Sequence, residues 1–413
     1  MLNVLRVAAY RKLFSAQIVA LLGTGLLTVA LGLLAFDLAG GQAGAVLGTA
    51  LTIKMFAYVF VAPLMTALVE RLPRKTVLVT ADLVRAGVAV LLPFTDQVWQ
   101  IYVLIFVLQA ASATFTPTFQ SVIPTILPKE RDYTRALSLS RLAYDLESLL
   151  SPIIAAALLS VLAYNDLFLG TVAGFVLSAI LVVTTRLPLT TTTASTGSLL
   201  HRTTLGTRIF LREPSLRGLV ALNLVVASGT ALVLVNTVVY VRDLAGGSNV
   251  HVALALACYG AGSMIVALTA PTVLDRITDR SLMLTGAGVV ALGVAAAVVV
   301  AVIPAAPLLA AVWVLLGAGT SMINTPSARL LRRAATEDTR SYLFTAQFSL
   351  SHACFILSYP IAGWVGADAG LPTAAAVLAV IATLGTVAAF RLWPGVGTAE
   401  STVQAPELSE QAR

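Results

Sequence analysis

Charge is scarce in this chain. Only 11% of its 413 residues are charged and 58% are hydrophobic, whereas a soluble protein of that length needs far more charge to cover its surface. Cysteine is scarcer still: Cys258 and Cys354 are the whole supply, too few for a disulfide framework, and both read as packing thiols. Three histidines are a thin stock of nitrogen ligands for a metal. Ten-residue runs of alternating apolar and polar residues are missing, which excludes an outer-membrane barrel. No Gly-x-x-x-x-Gly-Lys-Ser/Thr run is present, which argues against direct drive by ATP, and no nucleophile-and-base arrangement suggests an enzyme.

What fills the sequence is apolar segments of about 20 residues, the length a helix needs to cross roughly 30 Å of hydrocarbon. Twelve helical spans are predicted, at 12–37, 44–69, 76–95, 98–122, 134–163 and 165–186, then at 216–241, 249–274, 281–303, 305–328, 341–366 and 371–393. The first is long and lacks a small-residue cleavage site, so it reads as a span and not as a signal peptide. All Lys and Arg residues except Lys54, Arg85, Arg141 and Arg242 fall in the termini and in alternate connections, whereas Asp96, Asp166, Asp243 and Asp368 fall in the other connections. Positive segments stay cytoplasmic. Both termini are therefore expected inside a bacterial-type plasma (inner) membrane, the net charge of +7 is a topology signal, and no nucleic-acid partner is indicated. A monomer embedded in the lipid bilayer is expected.

The stretch Asp-Leu-Ala-Gly-Gly occurs twice, at Asp37 and at Asp243, 206 residues apart. The same offset relates Gly23-Thr24 to Gly229-Thr230 and Gln17 to Asn223. LVERLPRK (68–75) answers VLDRITDR (273–280) at 205, and SPIIAA (151–156) answers YPIAGW (359–364) at 208. The chain is thus a tandem of two six-helix units: 1–186, then 216–394. A Thr-, Ser- and Arg-rich cytoplasmic linker, 187–215, joins them, and a tail of disordered composition, 395–413, follows.

TALVERLPRK (66–75) resembles the loop signature between helices two and three of the major facilitator superfamily; it keeps Leu68, Arg71, Arg74 and Lys75, puts Glu70 for the acid, and replaces the two glycines by Thr66 and Pro73. SPIIAA is a small-residue version of that superfamily's helix-five antiporter element. DLVRA (82–86) and the segment from FTPTFQSVIPTILP to RALSLSRL resemble the drug-exporter branch that also holds siderophore exporters; RALSLSRLAYDLESLLSP (135–152) looks closest to nickel-resistance efflux members, without their histidine-rich tail. The resemblance implies an all-α membrane protein of two pseudo-symmetric six-helix bundles with a substrate site near the midplane between them. It also implies that Glu70, Arg71 and Arg74, with Asp275 and Arg276 in the second copy, lock one conformation through a helix N-terminus and neighbouring carboxylates. Asp82 and Arg85, three apart, are expected to pair and brace that loop.

An ionisable side chain inside hydrocarbon needs a partner, a water-filled cavity or a function. Predicted helix five carries Arg141, Tyr144, Asp145 and Glu147. Arg141 and Asp145 share a face and can pair, while Asp145 and Glu147 cannot both face one line along the helix. One of the two is expected to be the proton-coupling acid and the other structural. His352 falls at the place of Tyr144 by the offset of 208, where it could relay protons, supply a nitrogen to a metal ion held with Asp145 or Glu147, or simply bind a neighbouring helix. Lys54 either pairs with a helix-five acid, attracts an anionic group, or snorkels outward. Gln17 and Asn223 are expected to line the cavity. The reading is proton-driven efflux of a drug-like molecule or a nickel- or cobalt-type cation, with a proton gradient and no cofactor as the energy source. Its alternatives are an uncoupled facilitator and a non-transporting receptor on the same fold.

Overall fold

A computed structural model describes residues 2–61, 72–186, 207–334 and 340–393. Among the described residues every regular element is helical. In the first half these are α1 (Ala8–Ala39), α2 (Ala43–Phe56), α3 (Arg74–Leu91), α4 (Val98–Ile126), α5 (Glu130–Leu159) and α6 (Asp166–Val183). In the second they are α7 (Pro214–Val239), α8 (Asn249–Leu274), α9 (Asp279–Val302), α10 (Ala306–Ala334), α11 (Arg340–Pro360) and α12 (Leu371–Leu392). Ten helical runs are long and apolar enough to cross a membrane; Ala8–Val61 contains both α1 and α2, and α5 contributes only the shorter apolar stretch Leu150–Leu159.

The two halves pack alike. In the first, α1 lies on α5 and α6, and α3 on α4 and α6; in the second, α7 lies on α11 and α12, and α9 on α10 and α12. The halves meet where α2 runs along α7 and α11 and where α5 runs along α8. In lipid no hydrophobic force drives helices together, so close approach of small residues and interhelical hydrogen bonds must. Gly48 and Gly363 supply that approach between α2 and the π-helical turn Ile361–Val365 that continues α11: a Cβ on Gly48 would stand 2.6 Å from the Tyr359 carbonyl and 2.9 Å from the Gly363 Cα. The repeated Asp-Leu-Ala-Gly-Gly acts as a turn in both copies, because its first glycine, Gly40 or Gly246, takes a positive φ of 53° or 63°, a region closed to most side chains.

Helix boundaries depart from the hydropathy reading where charge extends a helix past the apolar run. The tenth span was expected to end near 328, but α10 continues to Ala334. Its last turns carry Arg329 and Arg333, which reach buried Asp279 at the start of α9 at 3.3 and 2.7 Å, and cations suit a helix C-terminus. At the same face, where α1 begins and α12 ends, Lys75 donates to the Thr185 carbonyl behind α6 at 3.1 Å, and Arg280 Nε donates to the Trp393 carbonyl behind α12 at 2.7 Å. Lys75 and Arg280 are repeat equivalents, so each half caps its last helix with the same residue of its own loop motif. Glu70, Arg71, the first part of the linker (187–206) and residues 394–413, the tail included, lie outside the described residues.

Candidate functional site

Between the halves, at mid-depth, lies a cavity of about 470 Å³. Lys54 and Tyr58 from α2, Tyr144 and Glu147 from α5, and His352 from α11 all line it. Phe119, Gln120 and Ile123 of α4 carry its wall toward the face where the chain ends lie. The other side is sealed. There Trp364 Nε1 donates to Thr49 Oγ1 at 2.9 Å, Gln42 Nε2 donates to the Ala367 carbonyl at 3.3 Å, and the Arg242 guanidinium sits 5.1 Å from the centre of the Phe36 ring. Phe36 and Arg242 are repeat equivalents, so they meet where the two copies face each other. Beside this seal, in the turn between α5 and α6, Tyr164 hydrogen-bonds Asp37, and burial together with that carboxylate pushes the tyrosine pKa up.

Glu147 is held close by backbone. Its carboxylate lies against Gly25 of α1, where a Cβ would come within 2.7 Å of Oε1. Lys54 is within electrostatic reach of Glu147 and its Nζ lies 5.8 Å from the Tyr58 ring centre. His352 Nδ1 is 2.7 Å from the Phe348 carbonyl oxygen. A carbonyl can only accept, so the proton is assigned to Nδ1 and the neutral ring keeps Nε2 as an acceptor. The His352 ring lies tilted against Phe348, 4.1 Å centre to centre, and meets Tyr58 edge-on at 5.5 Å, bridging the two halves.

The structure thus brings together Glu147, Lys54, Tyr144, His352 and Gln17, whose Oε1 accepts from Ser140 at 2.9 Å. Asn223 departs from expectation. It exchanges two hydrogen bonds of 3.1 Å with Gln347 and does not appear in the cavity wall, because its face of α7 packs on α11; Gln17 with Ser140 is the matching contact of α1 with α5. Arg85 pairs with Asp82 as expected, and Asp82 also accepts from Ser178 at 2.7 Å; Glu70 and Arg71 of the loop that the pair was expected to brace lie outside the described residues. Arg85 lines the cavity, with its guanidinium between the Phe115 and Phe175 rings at 4.3 and 4.5 Å. Both acid and base of the pair are buried, a cost that mutual neutralisation, the Ser178 hydroxyl and the flanking rings offset. Asp275 and Arg276 are exposed, and Arg74 has a partner of its own. The side chains of Arg141 and Asp145 lie outside the described ones. Among the described residues no three His, Cys, Asp or Glu side chains come together to hold a metal ion. Sequence reading missed the ion triad of Asp279, Arg329 and Arg333; an acid in the second loop motif where the first has Arg74 was its one visible sign.

The sequence model of the Major Facilitator Superfamily matches residues 13–305 and 220–411. The chain belongs to that superfamily. It is a multi-pass helical membrane protein of a superfamily of transporters. Over 184 residues, 43% of this chain and 45% of the relative, it is 26% identical to Macrolide efflux protein A of Streptococcus pyogenes. Over 152 residues, 34% of this chain and 47% of the relative, it is 28% identical to Macrolide efflux protein A of Enterococcus faecalis. The chain spans about half the length of the curated relatives it matches. Among solved structures, a point mutant of the nucleoside transporter NupG superimposes with a TM-score of 0.74 at 14% identity, covering 94% of this chain and 100% of that one. A bacterial homologue of the human lysosomal transporter Spinster, in an inward-facing and unoccupied conformation, gives 0.70 at 12%, covering 94% and 97%. At such identities the likeness is one of fold.

Proposed function

We propose that this transporter is a proton-driven exporter of an amphiphilic organic molecule, working by alternating access in a bacterial-type plasma membrane with its termini cytoplasmic. The observation that carries this reading is Glu147: a carboxyl at mid-depth, in the cavity, facing Lys54 across it. A carboxyl in that setting is stable only if it is paired, hydrated or protonated in turn, and a proton that replaces Lys54 as its partner leaves that cation free to oppose the substrate. The ring-lined wall suits an organic molecule, and the relatives named for macrolide efflux favour export. The metal-cation reading finds no cluster of three ligands among the described residues, and the energy source is the proton gradient with no cofactor.

The test is erythromycin uptake into inverted membrane vesicles energised to an acidic interior. Wild type accumulates the drug and loses accumulation when the gradient is collapsed, and Glu147→Gln lowers the gradient-driven component at least tenfold. Unchanged gradient-driven accumulation by that variant would remove Glu147 as the coupling acid, and wild-type uptake that the gradient does not concentrate would make the protein an uncoupled facilitator. Accumulation of nickel or cobalt ions in place of the drug would overturn the organic-substrate reading.

A further inference from the structure

The register of the duplication can be laid over the cavity wall. Lys54 corresponds to Tyr259 at the offset of 205, Thr24 to Thr230 at 206, and Tyr144 to His352 and Glu147 to Phe355 at 208. All eight residues line the one cavity. At the register where the first half places an acid and its cation, the second half places two aromatic rings.

Those rings are fixed from behind. Thr320 donates its hydroxyl proton to the Gly317 carbonyl at 2.9 Å, so in its 3.1 Å contact with Tyr259 it must accept. The Tyr259 hydroxyl therefore donates to Thr320 and accepts from Thr230, also at 3.1 Å. One lone pair on the Tyr259 oxygen is left. Phe355 lies 5.1 Å from the Tyr359 ring, centre to centre, and Tyr359 is 3% exposed. Together with His352 Nε2, this wall offers an apolar ring surface and two acceptors, with no fixed charge of its own.

We infer that the two copies have divided the work: the first-half wall, Lys54 and Glu147, couples to protons, while the second-half wall, Tyr259, His352 and Phe355, holds the substrate. The substrate class is an amphiphile that lays an apolar face on the rings and gives hydroxyl or amine protons to Nε2 and the tyrosine oxygen. The inference rests on the export reading above. The titratable groups sharing the cavity with Glu147 are Lys54 from α2, Arg85 from α3, Tyr144 on α5, Tyr259 from α8 and His352 from α11, with Tyr58 and Tyr359 beside them.

The experiment is equilibrium binding of erythromycin, a hydroxyl-rich amphiphile, to the full-length protein in lipid nanodiscs across a pH series. Wild type binds more weakly as pH falls. Phe355→Leu and His352→Leu weaken binding about tenfold at every pH, as loss of a buried anchor does, and keep the dependence on pH. Phe355→Tyr retains the ring and restores affinity, which separates ring contact from misfolding. Glu147→Gln flattens the pH dependence. Wild-type affinity in both leucine variants, or loss of the pH dependence in them, overturns the division between the halves. Binding independent of pH in wild type, with both leucine variants still weakened, sinks proton coupling and leaves the substrate wall standing. Absence of saturable binding by wild type overturns the export reading, and this inference with it.

Discussion

Gly25 sets the position of the residue on which coupling depends. It has no side chain because Glu147 Oε1 and Ser151 of α5 occupy the space a Cβ would need. Gly25→Ala is expected to push the carboxylate from its place and cut gradient-driven transport about tenfold, the scale of a reacting group displaced by a fraction of an ångström. Gly32→Ala, where the new methyl meets only Leu47 at 4.0 Å, is the control that leaves transport near wild type. Uptake in vesicles carrying equal amounts of each protein decides between them. The acid itself was legible in the sequence as an ionisable group in an apolar span. Its confinement by a glycine on another helix was not, because helical spacing says what shares a face and nothing about what that face touches.

At the scale of the helix, the seal opposite the chain ends balances glue against a misfit. Phe36 on α1 and Arg242 beyond α7 hold the copies together, a contact worth about 0.5–1 kcal/mol where solvent reaches it. Asn236 on α7 works the other way. It is fully buried, its Oδ1 lies 3.1 Å from where a Cβ on Gly44 of α2 would stand, and among the described residues neither amide atom has a hydrogen-bond partner. Each such group costs about 1–3 kcal/mol when buried, and its repeat equivalent in α1 is Ala30. Phe36→Arg sets two guanidinium groups face to face and is expected to open this side, whereas Asn236→Ala is expected to hold it shut and slow turnover. Spin labels at Gln97 and Ala305, in a background lacking Cys258 and Cys354, read the opening directly: the separation grows in the first variant and narrows in distribution in the second. Equal distributions in both would remove the seal as a determinant of state. The sequence alone assigns no cause to Arg242 standing where the first copy has Phe36, because repeat equivalents touch only where the pseudo-twofold axis passes, and the axis is a property of the assembled bundles.

For the molecule as a whole, the basic residues gather at one face: Lys12 and Lys75 on the carbonyls behind α6, Arg280 on those behind α12, and Arg329 and Arg333 on Asp279. If positive charge stays on the cytoplasmic side, a fluorescent protein fused behind Arg413 glows and alkaline phosphatase fused there is inactive. Phosphatase activity at that position would invert the orientation, and with it the direction of export.

The sequence by itself determined that this is a polytopic helical membrane protein written as a duplication, since run length and charge placement answer to the bilayer, and a repeat needs no coordinates to be measured. It also marked Glu147, Lys54, His352 and Tyr144, because an ionisable or polar group in hydrocarbon stands out against its surroundings. Only the tertiary structure decided which of these share one cavity, that Arg85 belongs to its wall and Asn223 does not, and that charge faces aromatic rings across it. Those outcomes depend on the rotation of each helix against its neighbours, which small residues and interhelical hydrogen bonds fix and which no single helix encodes.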